Sequence, residues 1–150
     1  MTFWLNGVFK EETAAIDIAD RGFLLGDGVF ETILLVDGVP AFLAAHLERM
    51  GGGAAALGID AALDEKGLAG VLAELARRNG AQKGFASARL TLTRGAGARG
   101  LAAAKGAATP TFLATVSVYA PPEASSPARL IVALEDAELS RQHPRPHGGR

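Results

Sequence analysis

DRGFLLGDGVFETILLVDGVPAFLAAHLERM, residues Asp20 to Met50, is the stretch on whose reading the fold turns. A glycine-rich turn (Gly26, Asp27, Gly28) leads into Val29 to Val36, a run of β-branched and large apolar residues suited to a pleated, buried strand. Asp37-Gly38 tolerates the positive φ angles of a tight hairpin turn and returns the chain into Val39 to Leu43. Pro40 has no N–H to give to a ladder, which puts this return strand on an edge. From Ala44 to Leu57 the apolar Leu47, Met50, Ala54 and Leu57 recur at three- or four-residue spacing, the pattern of a helix. Gly51 to Gly53 fall inside it, each costing about 1 kcal/mol relative to alanine, so tertiary packing must hold that helix.

Upstream, Phe3 to Leu5 and Val8 to Phe9 flank Asn6-Gly7 and predict a small opening hairpin. Ile16 and Ile18 alternate with Asp17 and Ala19, which predicts one more short strand before Asp20. Downstream, Asp64 can cap a second helix whose buried stripe is Leu68, Val71, Leu72 and Leu75. Arg77 and Arg78 suit its C-terminal dipole, and Asn79-Gly80 ends it. Phe85 to Thr93 alternates as a strand and runs into a loop punctuated by Gly95, Gly97 and Gly100. Phe112 to Tyr119 and Arg129 to Leu134 predict two further strands. Hairpins, then two helices, then strands give an α+β fold, with a mixed or antiparallel sheet carrying two helices on one face.

At 150 residues, nearly half of them apolar, the chain suits one domain with a real core. Fifteen basic residues against sixteen acidic ones include no Lys/Arg block dense enough for a nucleic-acid interface. With no cysteine there is no disulfide, no thiolate zinc site and no thiol nucleophile, a usage that suits a reducing compartment. No apolar run approaches the ~18 residues of a membrane span, and the N-terminus lacks a leader pattern. The expectation is a soluble, cytoplasmic protein with no nucleic-acid or membrane partner.

His46 and Arg49 lie three apart on one face of the expected helix, where a guanidinium could grip a phosphate or carboxylate two-pronged. A solvent-facing arginine paired to Glu48 or another acid fits the spacing as well. The Gly26-Asp27-Gly28 turn could admit a ligand but is by default structural. Arg94 and Arg99 put two guanidiniums on the glycine loop, an anion-binding lip that matches no GxGxxG or Walker pattern. His143 and His147 are separated by prolines that forbid a helix, so no metal site is assigned.

Taken in order, Trp4-Leu5-Asn6-Gly7, Asp20-Arg21-Gly22, Gly26-Asp27-Gly28-Val29-Phe30-Glu31-Thr32, His46-Leu47-Glu48-Arg49-Met50 and Leu90-Thr91-Leu92-Thr93-Arg94-Gly95 with Arg99-Gly100 resemble the class IV aminotransferases. These are the pyridoxal-phosphate enzymes of fold type IV: branched-chain and D-amino-acid aminotransferases and aminodeoxychorismate lyase. The match runs along the family's small N-terminal domain. The resemblance implies that Arg49 binds the cofactor phosphate, that Phe30 lines the substrate pocket, and that Arg99 sits on the loop that holds the substrate carboxylate in some members. It also implies a homodimer acting on a small amino acid, branched-chain type favoured, and a 2-oxo acid. Several aminotransferases have a tyrosine where this chain has Phe30, which leaves the lyase open as the alternative.

The family's Schiff-base lysine follows a strand matched here by Leu130 to Leu134. In this chain the last lysine is Lys105, and Lys10, Lys66, Lys83 and Lys105 all match family loops or helix surfaces. No catalytic residue is therefore assigned. The expected organisation is an N-terminal domain over residues 1–140, a disordered Arg/His/Pro/Gly tail over 141–150, and no catalytic C-terminal domain. Such a chain is expected to be inactive alone, or to serve as a non-enzymatic fragment that dimerises.

Overall fold

The structure, a computed structural model, describes residues 1–98, 100 and 109–121. The expected strand Arg129 to Leu134, the tail 141–150, Lys105 and Arg99 lie outside the described residues.

Among the described residues nine elements follow in the order β1 (Thr2–Leu5), β2 (Val8–Glu11), α1 (Arg21–Leu25), β3 (Gly28–Val36), β4 (Val39–Pro40), α2 (Leu43–Leu57), α3 (Glu65–Arg78), β5 (Phe85–Thr93) and β6 (Thr111–Val118). The six strands form one sheet in the order β2-β1-β6-β5-β3-β4. Every ladder is antiparallel, which selects the antiparallel form of the expected sheet. Its backbone is the nine-residue pairing of β3 with β5, from Gly28 opposite Thr93 to Val36 opposite Phe85.

The period of two decides which residues are buried. Glu31, Ile33 and Leu35 of β3 are buried while Phe30, Thr32, Leu34 and Val36 are exposed. Ala86, Ala88, Leu90 and Leu92 of β5 share the buried face. Large residues sit beside small ones across the ladders, with Ile33 against Ala88 and Leu90 against Ala114. That face is covered by α2, which buries Leu43, Leu47, Met50 and Ala54, and by α3, which buries Leu68, Leu72, Leu75 and Ala76. Asp64 caps α3 as its sequence requires, accepting from the Gly67 amide at 3.0 Å. Asn79 does more than end that helix. Its Oδ1 accepts from the Thr2 amide, and its Nδ2 donates to the carbonyls of Thr2 and Val116, tying α3 to β1 and β6.

Two local expectations are corrected. Ile16 and Ile18 form no strand, because Asp17 turns the chain between them: its Oδ1 accepts from the Ala19 amide and its carbonyl from the Asp20 amide, both at 2.8 Å, and Ile18 is 80% exposed. The return strand after Asp37-Gly38 is only Val39–Pro40, because α2 begins at Leu43, just after Phe42 turns the chain at φ 52°. An additional one-turn helix, α1, occupies the stretch before the glycine turn. Asp20 caps its start by accepting from the amides of Gly22 and Phe23, and left-handed Gly26 closes its end.

Among the three glycines in α2, Gly53 has a packing reason. A Cβ there would lie 3.1 Å from Val29 Cγ1, so its absence lets α2 settle close against β3. Gly52 has none, with nothing within 4 Å of the Cβ position. Gly52→Ala is expected to raise stability by about 1 kcal/mol. Gly28→Ala, whose Cβ would meet the Leu92 carbonyl oxygen at 2.6 Å, is expected to lower it by about 1–3 kcal/mol. Urea unfolding midpoints of the two variants check both signs.

Candidate functional site

Glu31 points into the helix-covered face, where its side chain is only 4% exposed. A carboxylate there has lost most of its water and needs donors. Two residues of α2 supply them. Arg49 Nε donates to Oε1 at 2.7 Å, Arg49 Nη2 donates to Oε2, and His46 Nδ1 lies 2.7 Å from Oε2. An ionised carboxylate can only accept, so Nδ1 of His46 carries the proton. The hydrogen bonds from Arg49, joined by the one from His46, outweigh burial and hold the Glu31 carboxyl at about 2, against an ordinary value of 4.5.

Arg49 remains open to solvent, its side chain 71% exposed. A guanidinium has two edges that can grip an oxyanion. Glu31 fills the edge made by Nε and Nη2. Nη1, on the other edge, has no partner among the described residues, and that edge can take a phosphate. The acid paired with Arg49 is thus Glu31 of β3, reached across the helix–sheet interface, and not its helix neighbour Glu48.

Phe30, the neighbour of Glu31, projects from the opposite face of β3 and is 57% exposed. The Arg89 guanidinium lies over its ring, 3.8 Å from the centroid, a cation–π contact across the β3–β5 ladder. Arg49 and Phe30 are therefore on opposite faces of one strand. Between them runs the outer edge of β3, which β4 pairs only at Leu35 and Val36. A ligand reaching both residues has to sit at that edge.

Arg94 is not at an anion-binding lip. Its side chain is 14% exposed, and it binds Asp27 through Nε and Nη2 while donating to the carbonyls of Leu57 and Gly58 at the end of α2. Asp27 also takes Arg21 Nε at 2.8 Å, and the hydrogen bond from Arg94 chiefly lowers its pKa. Arg21 reaches on to the carbonyls of Ala98 and Gly100, on either side of position 99. Asp20, fully buried, accepts from the Thr93 and Thr111 hydroxyls as well as from α1. The Asp-Arg-Gly and Gly-Asp-Gly motifs are thus a frame that fixes the glycine loop. An apolar cleft of about 220 Å³ beside Asp20, lined by Ile16, Phe23 and Leu113 among others, finds both carboxylate oxygens already occupied.

None of the three described lysines stands at the Glu31–Arg49 cluster. Lys10 is on β2, four strands from β3, or about 19 Å at the usual strand spacing. Lys66 lies in the first turn of α3, and Lys83 lies beyond the hairpin end of β3 and β5; all are exposed. Among the described residues no group of His, Asp and Glu could hold a metal ion, and no helix is long and apolar enough to cross a membrane.

The family model described as "Amino-transferase class IV" matches residues 28–148. The chain belongs to the class IV aminotransferases. Within that family it is 39% identical over 102 residues to a Methanocaldococcus jannaschii protein provisionally named branched-chain-amino-acid aminotransferase, covering 67% of this chain and 35% of that one. It is 34% identical over 101 residues to the aminodeoxychorismate lyase of Bacillus subtilis, covering 67% and 34%. The chain thus spans about a third of the length of these relatives. The fold matches the branched-chain amino acid aminotransferase of Escherichia coli at a TM-score of 0.68 and 19% identity, over 79% of this chain and 40% of that one. It also matches a Mycobacterium tuberculosis aminotransferase solved in its pyridoxal-phosphate-bound form, at a TM-score of 0.62 and 23% identity, over 79% and 39%. The donor set in this chain fits the cofactor expected for the family, since an exposed guanidinium edge backed by a buried carboxylate suits a phosphate.

Glu31 was the residue hidden in the sequence. The available signal was parity: it shares the buried register of Ile33 and Leu35, where a charge demands partners. Because its pKa is depressed in the fold, Glu31 contributes stability above pH 4.5 that is lost as the pH falls toward 2. Glu74, held at about 2 mainly by Arg77, titrates in the same window. Acid unfolding followed by circular dichroism is expected to show a shallower loss of stability in Glu31→Gln than in the wild-type chain across that range, the difference belonging to Glu31.

Proposed function

We propose that this chain forms the phosphate-binding part of a pyridoxal-phosphate enzyme that transfers an amino group from a small amino acid, branched-chain type favoured, to a 2-oxo acid. The observation that carries the reading is the outward edge of Arg49, held by Glu31 beside the uncovered edge of β3. When bound there, pyridoxal phosphate supplies the electron sink for chemistry at the substrate α-carbon.

The chain's own residues bind and orient. Arg49 neutralises the phosphate, and Phe30 with Arg89 forms an apolar wall carrying a cation on the open face of the sheet. Arg99 would take the substrate carboxylate. The assembly proposed is a homodimer, and the exposed apolar residues Phe30, Leu34, Val36 and Phe85 support it. No lysine is assigned to catalysis.

The second reading is the lyase that converts aminodeoxychorismate to 4-aminobenzoate and pyruvate. It is favoured by the likeness to the Bacillus subtilis enzyme and by a phenyl ring at Phe30 in place of a phenol.

Pyridoxamine 5′-phosphate tests the shared core of both readings, because it is fluorescent and has no aldehyde to attack stray lysines. Titration is expected to show saturable binding that pyridoxamine does not match. Arg49→Gln is expected to weaken it about 30-fold or more, the worth of a charged hydrogen-bond pair. Equal affinities for the wild type and Arg49→Gln would remove Arg49 from the cofactor site.

A further inference from the structure

We propose that Glu31 is a positioning residue of the anion site: its buried carboxylate grips Nε and Nη2 of Arg49 so that the Nη1 edge faces outward to the cofactor phosphate, with His46 bracing the carboxylate. The inference rests on the reading that Arg49 meets that phosphate.

An arginine on a helix surface has several rotatable bonds, and an exposed one samples many directions. Arg49 departs from that default. Its guanidinium plane is set by two hydrogen bonds to one carboxylate, which leaves its remaining edge in a single direction. The carboxylate is itself fixed, because Glu31 belongs to β3, which is paired with β5 along its whole length, and His46 takes one of its oxygens. The rigidity of the central ladder is in this way passed to a solvent-exposed side chain. Glu31 is also negative, so it opposes the phosphate electrostatically. A carboxylate kept beside a phosphate-binding arginine therefore makes sense through the geometry it imposes and the order it confers, not through charge.

A merely structural ion pair between β3 and α2 makes a different prediction. Removing it would lower stability and leave the affinity of the folded chain unchanged. The test uses the wild-type chain with Glu31→Gln, Glu31→Asp and Arg49→Gln, each held well below its own urea midpoint. Glu31→Gln is expected to weaken pyridoxamine 5′-phosphate binding about tenfold, as loss of the partner that orients a ligating group usually does, without weakening pyridoxamine. Glu31→Asp, which keeps the charge on a shorter arm, is expected to fall between.

A second readout is the Arg49 Nε–H resonance in ¹⁵N-resolved spectra. In the wild type it should exchange slowly with water and stay in place as inorganic phosphate is added. In Glu31→Gln it should exchange fast. Wild-type affinity in Glu31→Gln with a loss in Arg49→Gln would overturn this inference and leave the proposed function standing. An Nε–H resonance that shifts first on adding phosphate would overturn the assigned edge. No binding of pyridoxamine 5′-phosphate by the wild-type chain would overturn both readings.

Discussion

A carboxylate turned into an apolar layer has to be answered by donors from whatever packs over it. Glu31 occupies a position that the alternation of β3 reserves for residues such as Ile33 and Leu35. The helix above it is therefore constrained in register as well as in hydrophobicity, since Leu47 and Met50 must face the sheet while His46 and Arg49 meet one side chain. The absence of a side chain at Gly53 helps to satisfy both demands at once by letting α2 approach Val29. Breaking one partner of such a cluster costs more than the net worth of the pair, because the other is left desolvated and unmatched.

A second carboxylate plays a comparable part just before the start of β3. Asp27 is shared by two arginines from different parts of the chain, and each also donates to backbone carbonyls. Arg94 closes the end of α2 through Leu57 and Gly58, while Arg21 holds Ala98 and Gly100. Glycine-rich segments have much conformational freedom to lose, and side-chain donors aimed at their carbonyls offset that loss. The motif glycines and the buried arginines thus act as one unit, in which turns supply close approach and guanidiniums supply order.

Much of this architecture can be read from residue patterns. Phe85 to Thr93 alternates cleanly and forms β5 with those same bounds, and the opening hairpin and α3 follow their turn and cap residues. The failures have physical causes. Alternation at Ile16 and Ile18 suits a strand, but Asp17 between them satisfies the Ala19 and Asp20 amides itself and makes a turn instead. The short α1 was hidden because its capping residues, Asp20 and Gly26, also read as a turn. At the site, the spacing of His46 and Arg49 marked a helix face, but the partner that gives Arg49 its direction lies 18 residues earlier on a strand. Arg94 looked like a surface cation because nothing in its neighbourhood along the chain shows that Asp27 will come to meet it. Pairings across a sheet are visible only once the register is known.

The shortness of β4 has one more consequence. With only Leu35 and Val36 in its ladder to β4, β3 presents the rest of its outer edge, from Gly28 to Ile33, without a strand partner among the described residues. Backbone donors and acceptors along such an edge are half of a ladder and form a template for another extended segment. On the reading proposed above, a ligand reaches Arg49 and Phe30 across this rim, so a permanent strand cannot seal it. On that reading, binding competence and a tendency to adhere to extended chains are coupled in this fold, and occupation of the rim relieves both at once.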